Sequence, residues 1–384
     1  MLFDDPEDDL TDDAAGKGIA VAEEEGLPEP RDAVTALGHD GVERQLLAFA
    51  ASGKMPHALI FSGPSGIGKA TMAFRFAKFL MAQKPAEESG PSLFGDPEPV
   101  ASPDSLTIGP EEQGARLVSS GGHPDLLTLA RKADEKTGAI KESLDVEQIR
   151  SVGPFLTLTP FMGGWRMVII DDADTMTRSS QNALLKVLEE PPANTLLILI
   201  AHRVGQLIPT IRSRSRVIEF STPDLSDFET LMKKAGAQTG QIEALYNISG
   251  GSIGTALRLT QSGALKAFEQ VTSLLELWPA LNWVDVHMMG EVLNTKGADD
   301  GMQGFQEVLL WSVGQMVKTR ARGDGQLPAP LNAAPYPALM NAYSLEHWSN
   351  IWENLNAHFA MAKYGSLDRR QAIFGAFSIL KGAA

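Results

Sequence analysis

The residues best suited to chemistry lie at 63–71. Gly63-Pro64-Ser65-Gly66-Ile67-Gly68-Lys69 has the GxxxxGK spacing of a phosphate-binding loop. Glycines let the backbone wrap a phosphate, successive N–H groups and the following helix N-terminus present partial positive charge, and Lys69 can reach the outer phosphates. A Gly-rich structural turn is the plain alternative. The next position should carry a hydroxyl for magnesium. Ala70 has none and Thr71 stands one place late, so the loop favours binding over hydrolysis. A second candidate is the pair Asp171 and Asp172, which ends the apolar run RMVII. In phosphoryl-transfer sites such acids hold magnesium and position the attacking water. The plain alternative is an acidic strand end at the sheet surface. Third, Arg212, Arg214 and Arg216 alternate with serines, as a solvated strand edge or a local salt bridge also would. Seven histidines, among them His57, His123 and His202, show no ligand spacing and read as packing or surface residues.

These groups need a frame. VERQLLAFAASGK predicts a helix, HALIF a strand and TMAFRFAKFLMAQ a helix, which sets the Gly-rich loop between strand and helix. Residues 84–122 are rich in Pro, Gly, Ser and Glu without sustained period, and read as a mobile excursion that holds no site. Order resumes at HPDLLTL and runs through a helix near 145–152 to the strand RMVII. SSQNALLKVLEE is a helix stopped by Pro191 and Pro192. TLLILIA is apolar on both faces, the mark of a parallel sheet covered by helices, and VIEF is a further short strand. Beyond Pro223 only helices are expected, a small group over 224–267 and a longer set over 268–384. LEHWSNIWENLNAHFAMA is the clearest amphipathic stretch. The Trp and Phe residues of that last set read as core or subunit-interface anchors rather than base-stacking platforms. The fold class is α/β: a parallel-sheet P-loop domain over 31–223, then two helical units.

Composition narrows the setting. A chain of 384 residues, 43% of them hydrophobic, supports two or three domains. With no cysteine, disulfides and thiolate-bound zinc are excluded, and a reducing cytosol is the natural compartment. The start MLFDDPEDDL lacks the basic and apolar regions of a secretory signal, and no stretch reaches the ~20 apolar residues of a membrane span. The expectation is a soluble, cytoplasmic protein without a membrane partner. Residues 1–30 hold eleven acids against Lys17, so ten of the fifteen net negative charges sit in what reads as a disordered tail. The remaining −5 offers no basic patch for phosphates, so work on DNA would fall to an assembly whose other members supply those contacts.

The run IIDDADTMTRSSQNALLKVLEEPPANTLLILIAHRVGQLIPTIRSRSR resembles the bacterial clamp-loader family of AAA+ ATPases, in which an acidic strand end, NALLK.LEEPP and a strand leading to an IRSRC-type motif occur in this order. HALIFSGPSGIGKATMAFRFAKFL is similar to the family's phosphate-loop segment, and the likeness extends from near Gly38 to Pro223. The resemblance implies a helical lid over 224–267 and, over 268–384, the collar that holds a hetero-pentameric ring together. It also implies ATP as the ligand of Gly63–Thr71, Asp171 and Asp172, and Arg214 as an arginine finger acting in trans. Its partners would be clamp-loader subunits of the delta and gamma/tau kinds, with the sliding clamp and primed DNA met through the assembly. The setting would be the DNA polymerase III holoenzyme, a DNA-directed DNA polymerase.

Several positions depart from the family's motor subunits. The second acid is usually Glu, and Asp172 is one methylene shorter. The motor's sensor threonine falls at His202, its sensor arginine at Gly254 in GGSIGTAL, and Ser215 stands where the finger motif commonly has Cys. Some members carry a four-Cys zinc module; without Cys, no zinc is implied here. These departures favour a ring member that completes a neighbour's active site and is itself a weak or inactive ATPase. The rival readings are an active gamma/tau-like motor ATPase, a P-loop small-molecule kinase, and a structural relic that binds no nucleotide.

Overall fold

A computed structural model describes residues 27–83, 104–134, 140–162, 164–293, 299–364 and 368–382. The acidic tail up to residue 26 and the excursion residues 84–103 lie outside these.

Five parallel strands form one sheet: β1 (Ala58–Ser62), β2 (Leu126–Leu129), β3 (Arg166–Ile170), β4 (Thr195–Ala201) and β5 (Arg216–Glu219), in the spatial order β2-β3-β4-β1-β5. Side chains alternate between two buried faces, as continuous apolar strands require. Leu59, Phe61, Met167, Ile169, Leu196, Ile198 and Ile200 join one core, while Ala58, Ile60, Val168, Ile170, Leu197 and Leu199 join the other. Each of the larger side chains among them contributes about 1.5–3 kcal/mol by leaving water. The first face is covered by α1 (Asp40–Ala51) and α2 (Lys69–Ala82), with α3 (Gln113–Ser119) packed on α2. The second face is covered by α4 (Val146–Arg150), α5 (Val152–Thr157), α6 (Arg178–Glu189) and α7 (Pro209–Arg214). Thr177 caps α6 by accepting from Ser180 N–H at 3.2 Å, and Pro191-Pro192 lies just past its end.

Two sequence expectations change here. From Asp104 onward the supposed excursion is packed structure: Leu106, Ala115 and Val118 are buried, and the N–H of Leu106 donates to Glu43 at 2.7 Å. The apolar residues that fix this segment are too few and too widely spaced to show a period. Arg212 and Arg214 sit on helix α7, started by Pro209 at its first position, rather than on a strand edge; only Arg216 belongs to β5.

The C-terminal helices are α8 (Leu225–Lys234), α9 (Ile242–Ser249), α10 (Ile253–Gln261), α11 (Ala264–Leu275), α12 (Trp283–Leu293), α13 (Asp299–Arg322), α14 (Tyr336–Ala342), α15 (Leu345–Tyr364) and α16 (Arg369–Leu380). One continuous core runs from Phe228 on α8 to Leu380 on α16, so the boundary expected at 267/268 falls inside α11 without a break in packing. Trp348 is fully buried and its indole N–H donates to Met340 O at 3.0 Å, whereas Trp352 and Phe374 are exposed.

Candidate functional site

A parallel sheet brings the carboxyl ends of all its strands to one edge, where open α/β sheets bind ligands. The phosphate-loop segment comes after β1, Arg131 after β2, Asp171 and Asp172 after β3, and His202 after β4. These residues, far apart in the chain, line a cleft of about 1260 Å³ together with Leu231, Ile253 and Leu257 from the helical region.

Lys69 opens α2 and is 2% exposed. Its ammonium has three N–H donors. They meet Gly63 O at 2.7 Å, Pro64 O, and His202 Nδ1 at 2.9 Å. Burial pushes the Lys69 pKa down to about 8, because the charged form loses hydration; Asp171, Asp174 and Asp172 oppose the shift. On its other side, His202 Nε2 lies 2.6 Å from Asp172 Oδ1, and Arg131 Nε donates to Asp172 Oδ2 at 2.7 Å. With Lys69 donating to Nδ1, the ring accepts there and turns Nε2 to Asp172. The result is a relay of Lys69, His202, Asp172 and Arg131, with every charge partnered. The hydrogen bond from His202 and the Arg131 guanidinium hold Asp172 below the usual carboxylate range despite burial. Asp171 is pushed up, first by burial and then by the neighbouring Asp172 charge. Asp172 adopts a left-handed backbone (φ 50°), which aspartate tolerates better than most residues.

The helical side of the cleft touches the loop directly. Ser252 caps α10 by accepting from Thr255 N–H at 3.1 Å, and its hydroxyl donates to Ser65 O at 2.7 Å. Gly254 N–H donates to Gly66 O at 2.8 Å. A Cβ on Gly254 would stand 3.0 Å from Gly66 Cα, and one on Gly66, whose φ is +72°, would stand 2.6 Å from Ser252 Oγ. Both glycines are therefore needed for this approach of backbone to backbone. On the other flank His39 Nε2 lies 2.5 Å from Ile67 O, and burial lowers its pKa.

The sequence-selected residues Gly63, Pro64, Ser65, Gly66, Ile67, Gly68, Lys69, Ala70, Thr71, Asp171 and Asp172 thus come together. His202 is corrected from a packing residue to a member of the site. Its alignment with the family's sensor position was the signal that could have found it, whereas Arg131 and Ser252 gave no motif signal. Buried Asp174 accepts from the N–H groups of His202 (3.0 Å) and Arg203 (3.1 Å), tying the end of β4 to the end of β3. Arg214 is not brought to this cleft. It ends α7, half-buried, pairing with Glu189 at 3.1 Å and donating to Thr210 O at 3.3 Å.

As arranged, these residues do not fit magnesium-bound ATP. Ala70 offers no hydroxyl, Asp172 is held between two partners, and the donors of Lys69 are taken by its own chain. Among the described residues no group of three or more His, Asp or Glu is poised to hold a metal, and no helix is long and apolar enough to cross a membrane.

A phosphate loop after the first strand of an all-parallel sheet, acids at the end of β3 and a helical region laid on the loop define a P-loop protein of the α/β class. Residues 38–224, just under half of the chain, match the family described as DNA polymerase III, delta subunit. It is 32% identical over 217 residues to DNA polymerase III subunit delta' of Pseudomonas aeruginosa, covering 56% of this chain and 59% of that one. It is 29% identical over 232 residues to subunit delta' of Escherichia coli, covering 60% and 62%. The chain therefore spans about three fifths of the length of these two relatives. Among solved structures, a DNA polymerase III gamma subunit-related protein of Thermotoga maritima matches at 17% identity with a TM-score of 0.32, covering 67% of this chain and 83% of that one.

Proposed function

We propose that this chain is a delta-prime-like subunit of a bacterial clamp loader within the DNA polymerase III holoenzyme. Its own nucleotide site holds the domain together, and its Arg214 serves the ATP site of an adjacent gamma/tau-type subunit. One observation carries this reading: all three donors of Lys69 are engaged within the chain, while Arg214 stands half-exposed outside that cleft on one ion pair. Exposed ion pairs contribute only about 0–1 kcal/mol, so Arg214 can exchange Glu189 for a phosphate. Phosphoryl transfer spreads charge over the γ-oxygens, and a planar guanidinium placed there stabilises it. The ring would close beside an ATPase neighbour through the helical region, and the complex would place the sliding clamp on primed DNA in the cytoplasm. Lid (224–267) and collar (268–384) are the roles assigned to the two helical stretches.

The test is co-purification with delta- and gamma/tau-type subunits and then mass measurement of the product. The expected result is one copy of this chain in a hetero-pentamer. A chain that stays monomeric in their presence overturns the reading.

A further inference from the structure

The missing magnesium hydroxyl at Ala70 bears on hydrolysis but not on whether a loop with its glycines and lysine in place can hold a phosphate chain. In the structure the obstacle is on the other side of Lys69. Lysine donors turned onto loop carbonyls can swing away cheaply, because a phosphate oxygen is a better acceptor than a carbonyl. The third donor is different. His202 Nδ1, 2.9 Å away, is a fixed acceptor: its ring is held at Nε2 by Asp172 at 2.6 Å, Asp172 is held by Arg131 at 2.7 Å, and the His202 backbone N–H is held by buried Asp174 at 3.0 Å. Moving the ammonium onto a phosphate takes from His202, whose side chain is 26% exposed to the cleft, its charged hydrogen-bond donor and leaves only solvent in its place, so each phosphate contact is gained at the loss of a charge-assisted hydrogen bond.

We propose that His202 is a specificity-determining residue of the cleft: it positions Lys69 away from the phosphate path and so disfavours nucleoside di- and triphosphates by about tenfold. This rests on the reading of 63–71 as a nucleotide loop turned to an internal role. The apolar half of the cleft, bounded by Leu231, Ile253 and Leu257, is untouched by the relay and stays open to the base and sugar. The ligands disfavoured are therefore those whose phosphates must reach Lys69.

The test is calorimetric titration of the full-length chain with ADP in EDTA, where Ala70 has no bearing because no magnesium is bound. His202→Ala should tighten ADP binding about tenfold, the worth of one hydrogen bond to a charged donor. Lys69→Ala in the His202→Ala background should remove the gain. His202→Thr, in case alanine loosens the β4 end, should also tighten binding. In the unsubstituted protein, imidazole ¹⁵N shifts should show Nε2 protonated and Nδ1 bare. Equal ADP affinity with and without His202, at matched thermal midpoints for either variant, overturns the proposal; so does a gain that survives Lys69→Ala, or an Nδ1-protonated ring. These measurements need no other subunit, so their failure is separate from failure of the assembly reading, which appears only in co-purification.

Discussion

The cleft around Lys69 and the end of α7 around Arg214 present two cations under opposite conditions. Lys69 is 2% exposed with its donors met by Gly63, Pro64 and His202. Arg214 keeps a side chain 37% exposed, with one ion pair and one hydrogen bond. A buried charge is tolerated only when it is fully partnered, and then it is no longer free for a ligand. A half-exposed guanidinium keeps its fork open to a new partner. The same domain thus contains one cation turned inward and one left half-exposed at the end of α7.

Each side of that contrast can be broken by substitution. The largest effect is expected at Arg214: in an assembled loader, Arg214→Ala should lower clamp- and DNA-stimulated ATPase by on the order of 10³-fold while the ring stays intact. Arg214→Lys should restore little, since an ammonium cannot reproduce the guanidinium fork. Arg212→Ala and Arg216→Ala, read in the same steady-state assay, should have small effects. Equal effects from all three would reduce Arg214 to one charge among several.

On the inward side, Asp174→Ala removes a carboxylate that accepts from two backbone N–H groups at the end of β4. Hydrogen bonds to charged groups contribute about 1.5–3 kcal/mol, so a loss of about 3 kcal/mol in denaturant unfolding is expected. Gly254→Arg, which restores the residue type of an active motor, should destabilise by about 1–2 kcal/mol in the same assay, because its Cβ crowds Gly66 at 3.0 Å.

The buried lysine also gives a pH signature. Its folded pKa of about 8 lies below the ordinary unfolded value of about 10.4, so above pH 8 the unfolded chain binds more protons at this site. Lys69 therefore contributes a stability increment that grows as pH rises from about 8 to 10.4, by on the order of 1 kcal/mol per pH unit. Comparison with Lys69→Met across that window should show the slope in the parent protein and its absence in the variant. The smallest effect closes the contrast: Arg214→Ala should change the unfolding free energy of the isolated chain by no more than about 0.5 kcal/mol.

Much of the frame was legible because it is local. HALIF, RMVII and TLLILIA became β1, β3 and β4, and the helix stopped by Pro191 became α6. The loop and the acids at 171–172 met at one edge because a parallel sheet requires it. The features that escaped reading depend on contacts between distant segments. Arg131, Asp172 and His202 form a relay across three strand ends, and no periodicity links 131, 172 and 202. The docking of α10 on the loop through Gly254 looked in sequence only like a missing arginine; in the structure it is a close backbone approach that a side chain would prevent. Of the two plain alternatives for Arg212 to Arg216, the strand edge fails for the first two because Pro209 starts a helical turn that takes them in, while a local salt bridge is present at Arg214.

The central claim, that the chain's own phosphate loop is spent internally, is tested most directly by steady-state ATP hydrolysis of the isolated full-length chain with magnesium, beside its Lys69→Ala variant. The account predicts background rates for both. Sustained turnover by the parent chain that Lys69→Ala abolishes would contradict it.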